Sequence, residues 1–435
     1  MNKLFANRDL LPTVTRVIHV GEVWSAHFVN FSLLTHAGRQ YIAFFNQVRQ
    51  LTVGERWLAD QSFNLTVLDQ ALNWDSHNYL ALTADRDGFL HLAGNMHASP
   101  LTYFRSERPH DASAFHRIPA MTGHDEARVT YPRFFHGLQD RLLFFYRDGL
   151  SGNGREIVNQ YDPDTFSWHR LHKEPMVDGE GLRSAYLSEL ELGADGYFHQ
   201  AWIWRDTHHA ETSHSPCYAR SRDLVNWESA DGRRLQLPLR FSPDTLIDDV
   251  GPKGGAINNN LKIGFDGAGH PIVSYHKFDA HGHTQIYNAR LEDQRWMIRQ
   301  TTNWSSRWEF GGGGTIPFLI HVHPVQIDRQ GNLYQWFQNE LENEHEAWLL
   351  DPGSFARTQR LPATSDILNA VLGADRPPRP GMRWHMLDDQ KSNKCTESTY
   401  VAKWETLPEN RDRPRDGPPP APSQLEVYEL SWNPA

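Results

Sequence analysis

The chain is poor in cysteine and has no long apolar run. Its two cysteines, Cys217 and Cys395, lie far apart among 435 residues, so no disulfide framework can be argued. No apolar stretch approaches the length of a membrane span, which argues against a membrane partner. The N-terminal MNKLFANRDLLPTV lacks the continuous apolar segment of a signal peptide. It predicts a cytoplasmic protein, or a secreted or periplasmic one whose signal peptide was removed.

Basic clusters are missing as well. The formal net charge is -10 and no segment is dominated by Lys and Arg, so we expect no nucleic-acid partner. Aromatic residues are abundant instead, at 12%, with 15 Trp and 14 Tyr. With 31 Gly and 26 Pro, they favour many short strands and turns over helices. Rings that stack on sugars are also typical of surfaces that face carbohydrate.

One pattern recurs along the chain: an apolar strand, a turn centred on Gly or Asp, and a second apolar strand. It occurs at residues 33–45, 82–94, 135–148, 192–206, 263–277 and 327–339. Intervals of roughly fifty to seventy residues are typical of β-propeller blades, each with about four strands. The repeat therefore indicates six blades.

The two ends of the chain can supply a seventh blade. STYVAKW (398–404), LEVYELSW (425–432) and VTRVIHV (14–20) are predicted strands. Pairing of the first strand with the last would remove the open sheet edges. We predict an all-β fold, a seven-bladed β-propeller that forms a single domain over residues 1–435. The Pro-rich stretch 410–423 should be a surface loop before the closing strand, and two β-sandwich domains are the alternative.

The candidate site is centred on residues 74–105. Two apolar runs flank an Asp-Gly turn, which predicts a β-hairpin. His77 and His97 lie just outside its two ends and equally far from the turn, so folding of the hairpin should bring them together. Asn78 and Asn95 stand beside them. Histidine and asparagine at one strand end suit proton transfer and the binding of a polar substrate.

Later hairpins place further polar residues at equivalent ends. Tyr131 and Arg147 flank the next turn in the way that His77 and His97 flank theirs. In a propeller such ends should meet near the mouth of the central channel. The following blades add Tyr186, Arg205 and His208.

This polar set contains no pair of carboxylates at the hairpin ends. Common glycoside hydrolysis needs such a pair, so it is not favoured. β-Elimination next to a uronate needs a cation at the carboxylate, a base for the C5 proton and an acid for the departing O4. The planar guanidinium of Arg147 suits the first role, and histidine and tyrosine suit the others. Which of His77 and Tyr131 is the base stays open, and no cofactor is required.

A structural metal ion, calcium or zinc, is a separate hypothesis. His208, His209, His214 and Cys217 lie within one short segment and could share a metal with His276. Their spacing matches no closed metal-binding motif, so the metal content stays open.

Several motifs resemble a known family when they are taken in order. They are WDSHN (74–78), GNMH (94–97), TYP (130–132), YRDGLSGNG (146–154) and WRDT (204–207). The family carries BNR-type repeats and includes ulvan lyases and rhamnosyl-glucuronate lyases. The resemblance implies a seven-bladed propeller. It also implies eliminative cleavage of rhamnose-(1→4)-glucuronate linkages in poly- or oligosaccharides, with an unsaturated uronate as product.

The resemblance also implies residue roles. By motif, His77 and His97 resemble the family's active-site histidines, Tyr131 its catalytic tyrosine and Arg147 its carboxylate-neutralising arginine. The substrate contacts that we predict are Asn78, Asn95, Tyr186, Arg205 and His208.

Two other functions stay open from the sequence. The same superfamily contains an α-L-rhamnosidase that uses a histidine on the opposite face of the propeller. VWSAHFVNF (23–31) resembles that region, with His27 as the matching residue. The third hypothesis is a non-catalytic sugar-binding propeller. In each case the expected partner is a uronate-containing poly- or oligosaccharide.

Overall fold

Strands make up most of the regular structure. The computed structural model describes residues 12–328, 330–361, 371–373, 377–391 and 398–431. Short 3₁₀ helices within these ranges are Leu138–Asp140, Ala210–Thr212 and Pro243–Thr245. None of the helices in the described ranges is long and apolar enough to cross a membrane.

The strands are numbered in chain order. The first half of the chain contains β1 (Thr13–Val23), β2 (Ser32–His36), β3 (Arg39–Phe45), β4 (Gln50–Trp57), β5 (Asn64–Ala71), β6 (Leu80–Ala84), β7 (Leu90–Gly94), β8 (His97–Ser99), β9 (Tyr103–Ser106), β10 (Phe115–Arg117), β11 (Val129–His136), β12 (Leu142–Leu150), β13 (Asn153–Asp162), β14 (Ser167–Arg170), β15 (Val177–Asp178), β16 (Ser184–Leu187) and β17 (Glu191–Leu192). The second half contains β18 (Phe198–Arg205), β19 (Ser213–Ser221), β20 (Trp227–Glu228), β21 (Arg234–Leu235), β22 (Lys262–Phe265), β23 (Pro271–Phe278), β24 (Thr284–Glu292), β25 (Arg295–Gln300), β26 (Ile320–Val322), β27 (Gln326–Ile327), β28 (Leu333–Asn339), β29 (Glu344–Leu350), β30 (Arg357–Leu361), β31 (Arg383–Asp388), β32 (Gln390–Lys391), β33 (Thr399–Thr406) and β34 (Ser423–Ser431).

These strands form seven sheets within the described ranges, the number of blades that the sequence predicts. In chain order the blades are β2–β5 with β32 added, then β6, β7, β9 and β10, then β8 with β11–β15, then β16–β21, β22–β25, β26–β30, and finally β31, β33, β34 and β1. Neighbouring blades contact one another near their first strands, as β2 does with β6 and β6 with β11. The all-β propeller prediction is confirmed.

The last blade joins the two ends of the chain. β1 pairs antiparallel with β34, from Thr13 opposite Ser431 to Val23 opposite Ser423. This pairing confirms the predicted closure, which removes the open edge that either strand alone would expose. Cys217 is buried in blade four, and Cys395 lies outside the described residues.

The tryptophans serve the core more than the surface. The buried ones are Trp168, Trp202, Trp204, Trp227, Trp304, Trp308 and Trp404. They pack between strands of neighbouring sheets, because wide rings fill the gaps between twisted blades. The aromatic composition that suggested sugar stacking therefore largely reflects blade packing.

The segments that lead into the first strand of each blade lie on the same face of the fold. The first strands of successive blades run in the same direction, so the segments that lead into them share a face of the disc. Residues 72–79, 126–128 and 179–183 are segments of this kind. Asp75 and His77 of the candidate site lie in the first of these segments.

Candidate active site

A single carboxylate joins the two predicted histidines. The Asp75 Oδ1 atom lies 2.7 Å from His77 Nδ1, and Asp75 Oδ2 is bonded to His97 Nδ1. The two imidazole rings stack with their centroids 4.1 Å apart. The predicted meeting of His77 and His97 is thus confirmed, although Asp75 was not among the predicted residues.

Asp75 sets the protonation of both rings. Burial raises the pKa of Asp75, but hydrogen bonds from His77 and His97 outweigh burial and hold that pKa well below its usual range. The carboxylate is therefore an acceptor, and each Nδ1 must carry the proton. Neither Nε2 has a protein partner among the described residues, so its lone pair is open to a substrate.

Backbone geometry explains how the two histidines meet. His77 belongs to the turn before β6, and its own N–H also donates to Asp75 Oδ1 at 2.9 Å. His97 has already left the hairpin, because Asn95 has a φ of 59° and turns the chain. His97 begins β8, which pairs with β11 of the next blade, opposite Thr130. The site therefore spans the boundary between blades two and three.

Tyr131 lies in a β-bulge of β11. The register with β12 shifts between Thr130 and Arg133, and Tyr131 has a φ of 58°. A side-chain-bearing residue in this left-handed region stores strain, which is common at functional sites. The bulge directs the ring toward His77, with centroids 6.0 Å apart. Burial, together with the neighbouring Tyr186, raises the pKa of Tyr131, so its hydroxyl keeps its proton at neutral pH.

Arg147 is a buried cation without a partner carboxylate in the described part of the chain. Its side chain is 1% exposed, none of its three guanidinium nitrogens makes a hydrogen bond of normal length and angle to those residues, and the Tyr186 hydroxyl is the polar group that interacts with it. The group lies 4.9 Å from the ring centre of Tyr131 and 5.4 Å from that of Tyr186. A Cβ atom at Gly154 would lie 2.8 Å from Arg147 Cδ, so the glycine makes room for the arginine stem.

Leaving a buried guanidinium unpaired is costly, so such a group is expected to bind an anion. The neighbouring Asp148 does not neutralise Arg147, because its carboxylate pairs with Arg155 at 2.6 Å. Glu156 stands opposite Arg147 on β13, yet makes no ion pair with it. Burial, partly offset by Arg133 and Arg147, raises the pKa of Glu156 to about 7.

Tyr186 and Arg205 extend the site into blade four. The Tyr186 hydroxyl lies 2.6 Å from Ser151 Oγ and accepts from Arg205 Nη1 at 3.4 Å. Burial raises the pKa of Tyr186, but the guanidinium groups of Arg205 and Arg147 outweigh burial and lower it. Arg205 also donates to Ser213 Oγ at 3.0 Å and to the Asn258 side chain, so protein atoms hold it in place.

The other predicted substrate contacts are more peripheral. Asn78 is buried and donates to Asn73 Oδ1 at 2.7 Å, so it supports the turn that carries Asp75. Asn95 donates to the Ala71 carbonyl at 3.1 Å, on the side of blade one. His208 is exposed and contacts the ring of His209, with centroids 4.1 Å apart and planes tilted by 41°. We keep these three as predicted substrate contacts of lower rank.

His27 is not on the opposite face, so that prediction is wrong. Its ring lies 5.3 Å from the ring of Trp74, the residue before Asp75, and is 1% exposed. Its Nδ1 accepts a hydrogen bond from Trp24 at 2.9 Å. Burial, assisted by Arg49, lowers the pKa of His27 to about 4. The segment 24–31 enters the first strand of blade one, which is why it shares the face of the candidate site.

The predicted structural metal set does not assemble. His214 Nε2 bonds Asp206 at 2.9 Å, Cys217 donates to the Ser215 carbonyl, and His276 packs on Trp308. Burial raises the pKa of the Cys217 thiol to about 12, which leaves it a poor ligand. A β-bulge between His214 and Cys217 places them opposite Trp204 and Trp202, and each keeps its own hydrogen-bond partner, so they form no group of close ligand atoms within the described residues.

One other group in the described residues has ligand atoms close together. These are Asp75, His77 and His97, whose atoms lie within 4.8 Å of one another. The two ring planes differ by only 25° and are stacked, so their in-plane lone pairs do not converge on one ion. The group fits a hydrogen-bonded clamp better than a metal centre.

Comparison with known proteins identifies the family. A sequence profile described as a BNR repeat-containing family member matches residues 39–304. The chain belongs to the BNR repeat-containing family. The match runs from blade one to the end of blade five and includes the residues of the candidate site.

Curated relatives match over shorter stretches. The long isoform of ulvan lyase from Alteromonas sp. (strain LOR) is 43% identical over 47 residues, which is 11% of this chain and 5% of that protein. The short isoform from the same organism is 24% identical over 155 residues, 32% of this chain and 28% of that protein. The matched part of the chain thus spans less than a third of these relatives.

Solved structures share the fold over nearly the whole chain. The polysaccharide lyase Uly1 has a TM-score of 0.62 at 13% identity and covers 97% of this chain and 100% of its own. An ulvan lyase of family PL25 has a TM-score of 0.63 at 11% identity, with 96% of both chains covered. A structure of a PL25 ulvan lyase bound to -[GlcA(1-4)Rha3S]- has a TM-score of 0.61 at 10% identity, with 96% of both chains covered.

Proposed function

We propose that this protein is a polysaccharide or oligosaccharide lyase that cleaves the bond at C4 of a uronate by β-elimination. The finer proposal is a rhamnose-(1→4)-glucuronate linkage, with an unsaturated uronate as product. The observation that carries the proposal is the buried guanidinium of Arg147, which has no partner carboxylate among the described residues and lies over the ring of Tyr131, itself next to His77. The names of its relatives, which are ulvan lyases, support the substrate class.

The roles that we propose for the site residues are as follows. The uronate carboxylate binds Arg147, which neutralises its charge and stabilises the enediolate that develops when C5 loses its proton. His77 Nε2 takes that proton, because Asp75 keeps the Nδ1 proton on the other side of the ring. The C5 electrons form the C4=C5 double bond as the C4–O4 bond breaks.

Tyr131 completes the reaction as the acid. Its raised pKa keeps the phenol protonated, so it can donate a proton to O4 as the rhamnose leaves. His97 stacks on His77 and shares Asp75, so it holds the base in place and lies where it can contact the uronate. Tyr186 and Arg205 bind the sugar on the blade-four side.

We also propose that no metal or cofactor takes part. Arg147 already supplies the positive charge that a metal ion would bring to the carboxylate. Treatment with EDTA should leave the reaction rate unchanged. A rate that falls with EDTA and returns with calcium or zinc would contradict this proposal.

The decisive experiment uses a defined oligosaccharide of alternating rhamnose and glucuronate. Turnover should raise absorbance at about 235 nm, because the conjugated uronate forms after loss of the C5 proton. Release of free rhamnose without that absorbance would show hydrolysis instead. Affinity without any product would show a sugar-binding propeller. Both outcomes would overturn the proposal.

A further inference from the structure

The segment between β33 and β34 is more than a surface loop. Residues 407–422, here called the strap, are anchored beside blade one at their base. Leu407 donates from its N–H to the Ser25 carbonyl at 2.8 Å, and Arg415 Nε donates to the Ala26 carbonyl at 3.1 Å. The strap therefore starts on the face that carries the candidate site.

The tip of the strap reaches the segment before β26. Arg411 Nη1 donates to the carbonyls of Gly311 at 2.9 Å and Gly313 at 3.2 Å. Arg411 and Asp412 both adopt left-handed backbone conformations, with φ of 53° and 60°. Two consecutive side-chain-bearing residues in this region are costly, so the surrounding contacts must hold the tip in place.

Asp412 links this tip to the turn that carries the base. Its Oδ1 accepts from the Ser76 N–H at 3.1 Å and from the Thr315 hydroxyl at 2.7 Å. Its Oδ2 accepts from the Thr315 N–H at 2.8 Å and lies 3.6 Å from His77 Nδ1. The Asp412 side chain is 13% exposed. One carboxylate thus holds blade two, the strap and the segment before blade six together.

We propose that Asp412 is a positioning residue of the lyase site, an inference that rests on the proposed function. Asp75 fixes the rotation of the His77 ring, and Asp412 fixes the backbone of the turn through Ser76. Ser76 lies between Asp75 and His77, so a shift of its N–H moves both. Because Asp412 is far from both in sequence, the catalytic geometry forms only when the strap crosses the face.

The test compares two variants of Asp412 with a neighbour on the same strap. Asp412→Ala removes the acceptors for Ser76 and Thr315, and kcat should fall about 10- to 100-fold, as for misplacement of a catalytic group by about 1 Å. KM should change less than about threefold, since Arg147 and Tyr131 still bind the uronate. Asp412→Asn keeps one acceptor oxygen and should retain more of the activity than the alanine variant.

Arg413→Ala is the matched control, because Arg413 is exposed and adjacent to Asp412. It should leave kcat and KM unchanged. Thermal unfolding of all variants shows whether the fold is intact, and if Asp412→Ala unfolds, Asp412→Asn decides the question. A kcat like wild type in a folded Asp412→Ala protein overturns the inference while the lyase function stands. A wild-type protein without eliminative activity overturns the proposed function itself.

Discussion

Two histidines of the second blade, His91 and His77, differ in their hydrogen-bond partners and in their exposure. His91 on β7 is fully buried, and both of its nitrogens are bonded, Nδ1 to the Tyr103 hydroxyl at 2.6 Å and Nε2 to Asp85 at 3.2 Å. His77 has a carboxylate on Nδ1 only, and its side chain is 20% exposed. A histidine with both nitrogens occupied by protein has no lone pair or proton left for a substrate.

The His91 arrangement is repeated, which marks it as structural. In blade four, His199 bonds the Tyr218 hydroxyl at 2.6 Å and Asp195 at 3.1 Å. Both histidines follow an Asp-Gly turn and tie that turn to the third strand of the blade. The pair of His77 and His97 has no copy of this kind in the described blades. The comparison teaches that a partly exposed ring with one free nitrogen, and not the presence of histidine, distinguishes the candidate site.

The largest expected effect comes from Arg147. Arg147→Gln should lower kcat/KM by about 10³-fold or more, because the enediolate loses its neutralising charge. The melting temperature should change little, since among the described residues the guanidinium makes no ion pair and no hydrogen bond of normal geometry. The 235 nm assay and thermal unfolding measure the two effects. A large fall in stability would instead give Arg147 a structural role.

Two alanine variants test most directly whether His77 is catalytic and His91 is structural. His77→Ala should lower kcat by about 10²- to 10⁴-fold and leave stability nearly unchanged, because it removes the base. His91→Ala should destabilise the fold by about 2–4 kcal/mol, since it leaves Tyr103 and Asp85 unpaired and opens a cavity. Its activity should persist well below the melting temperature. Equal losses of activity in the two folded variants would contradict the assignment of His77 as catalytic and His91 as structural.

A smaller effect is expected from Asp75. Asp75→Asn keeps the shape but cannot accept hydrogen bonds from both rings, so one imidazole must change tautomer or rotate. We expect kcat to fall about 10- to 100-fold. The Nδ1 and Nε2 resonances of His77 and His97 in NMR spectra should report the changed tautomer. Unchanged tautomers with lower activity would show that Asp75 acts in another way.

The smallest effect concerns stability against pH. Burial lowers the pKa of His91, and it lowers the pKa of His276 from 6.5 to about 3. Below pH 6.5 the unfolded chain binds protons at these histidines that the folded chain does not. The free energy of unfolding therefore falls as the pH is lowered from 6.5 toward 3. Asp75 has a lowered pKa and adds a loss only below its ordinary value of 3.8. A melting temperature that rises from pH 6.5 to pH 4 would contradict this account.

The fold was predictable because its signals are local. Hairpin turns recur with a regular period, and each turn is set by its own Asp and Gly residues. The meeting of His77 with His97, and of Tyr131 with Arg147, was predicted from symmetry about those turns, although His97 reaches His77 from β8, after the chain has left the hairpin. The structure confirms both contacts. These pairs were accessible because each lies within one blade and the strand that follows it.

The wrong and missing site predictions concern contacts between residues that are not set by local sequence signals. His27 was placed on the wrong face because a motif match does not say which end of a strand it occupies. The metal hypothesis joined His214 and Cys217 by spacing alone, although each is held by its own hydrogen-bond partner. Asp75 was missed because its role depends on His97 arriving from another strand. Asp412 was missed because nothing near it in sequence points to Ser76.

The sequence by itself determined the period of the strands, the turns between them and the closure of the first strand on the last. The period and the turns depend on residues that act within a few positions of one another, and the closure depends on apolar strand patterns at the two ends of the chain. Only the tertiary structure decided which polar groups are left with a free hydrogen-bonding atom. Whether an atom is left free depends on partners from distant segments. A buried guanidinium or imidazole nitrogen without such a partner costs free energy, and binding a substrate group removes that cost.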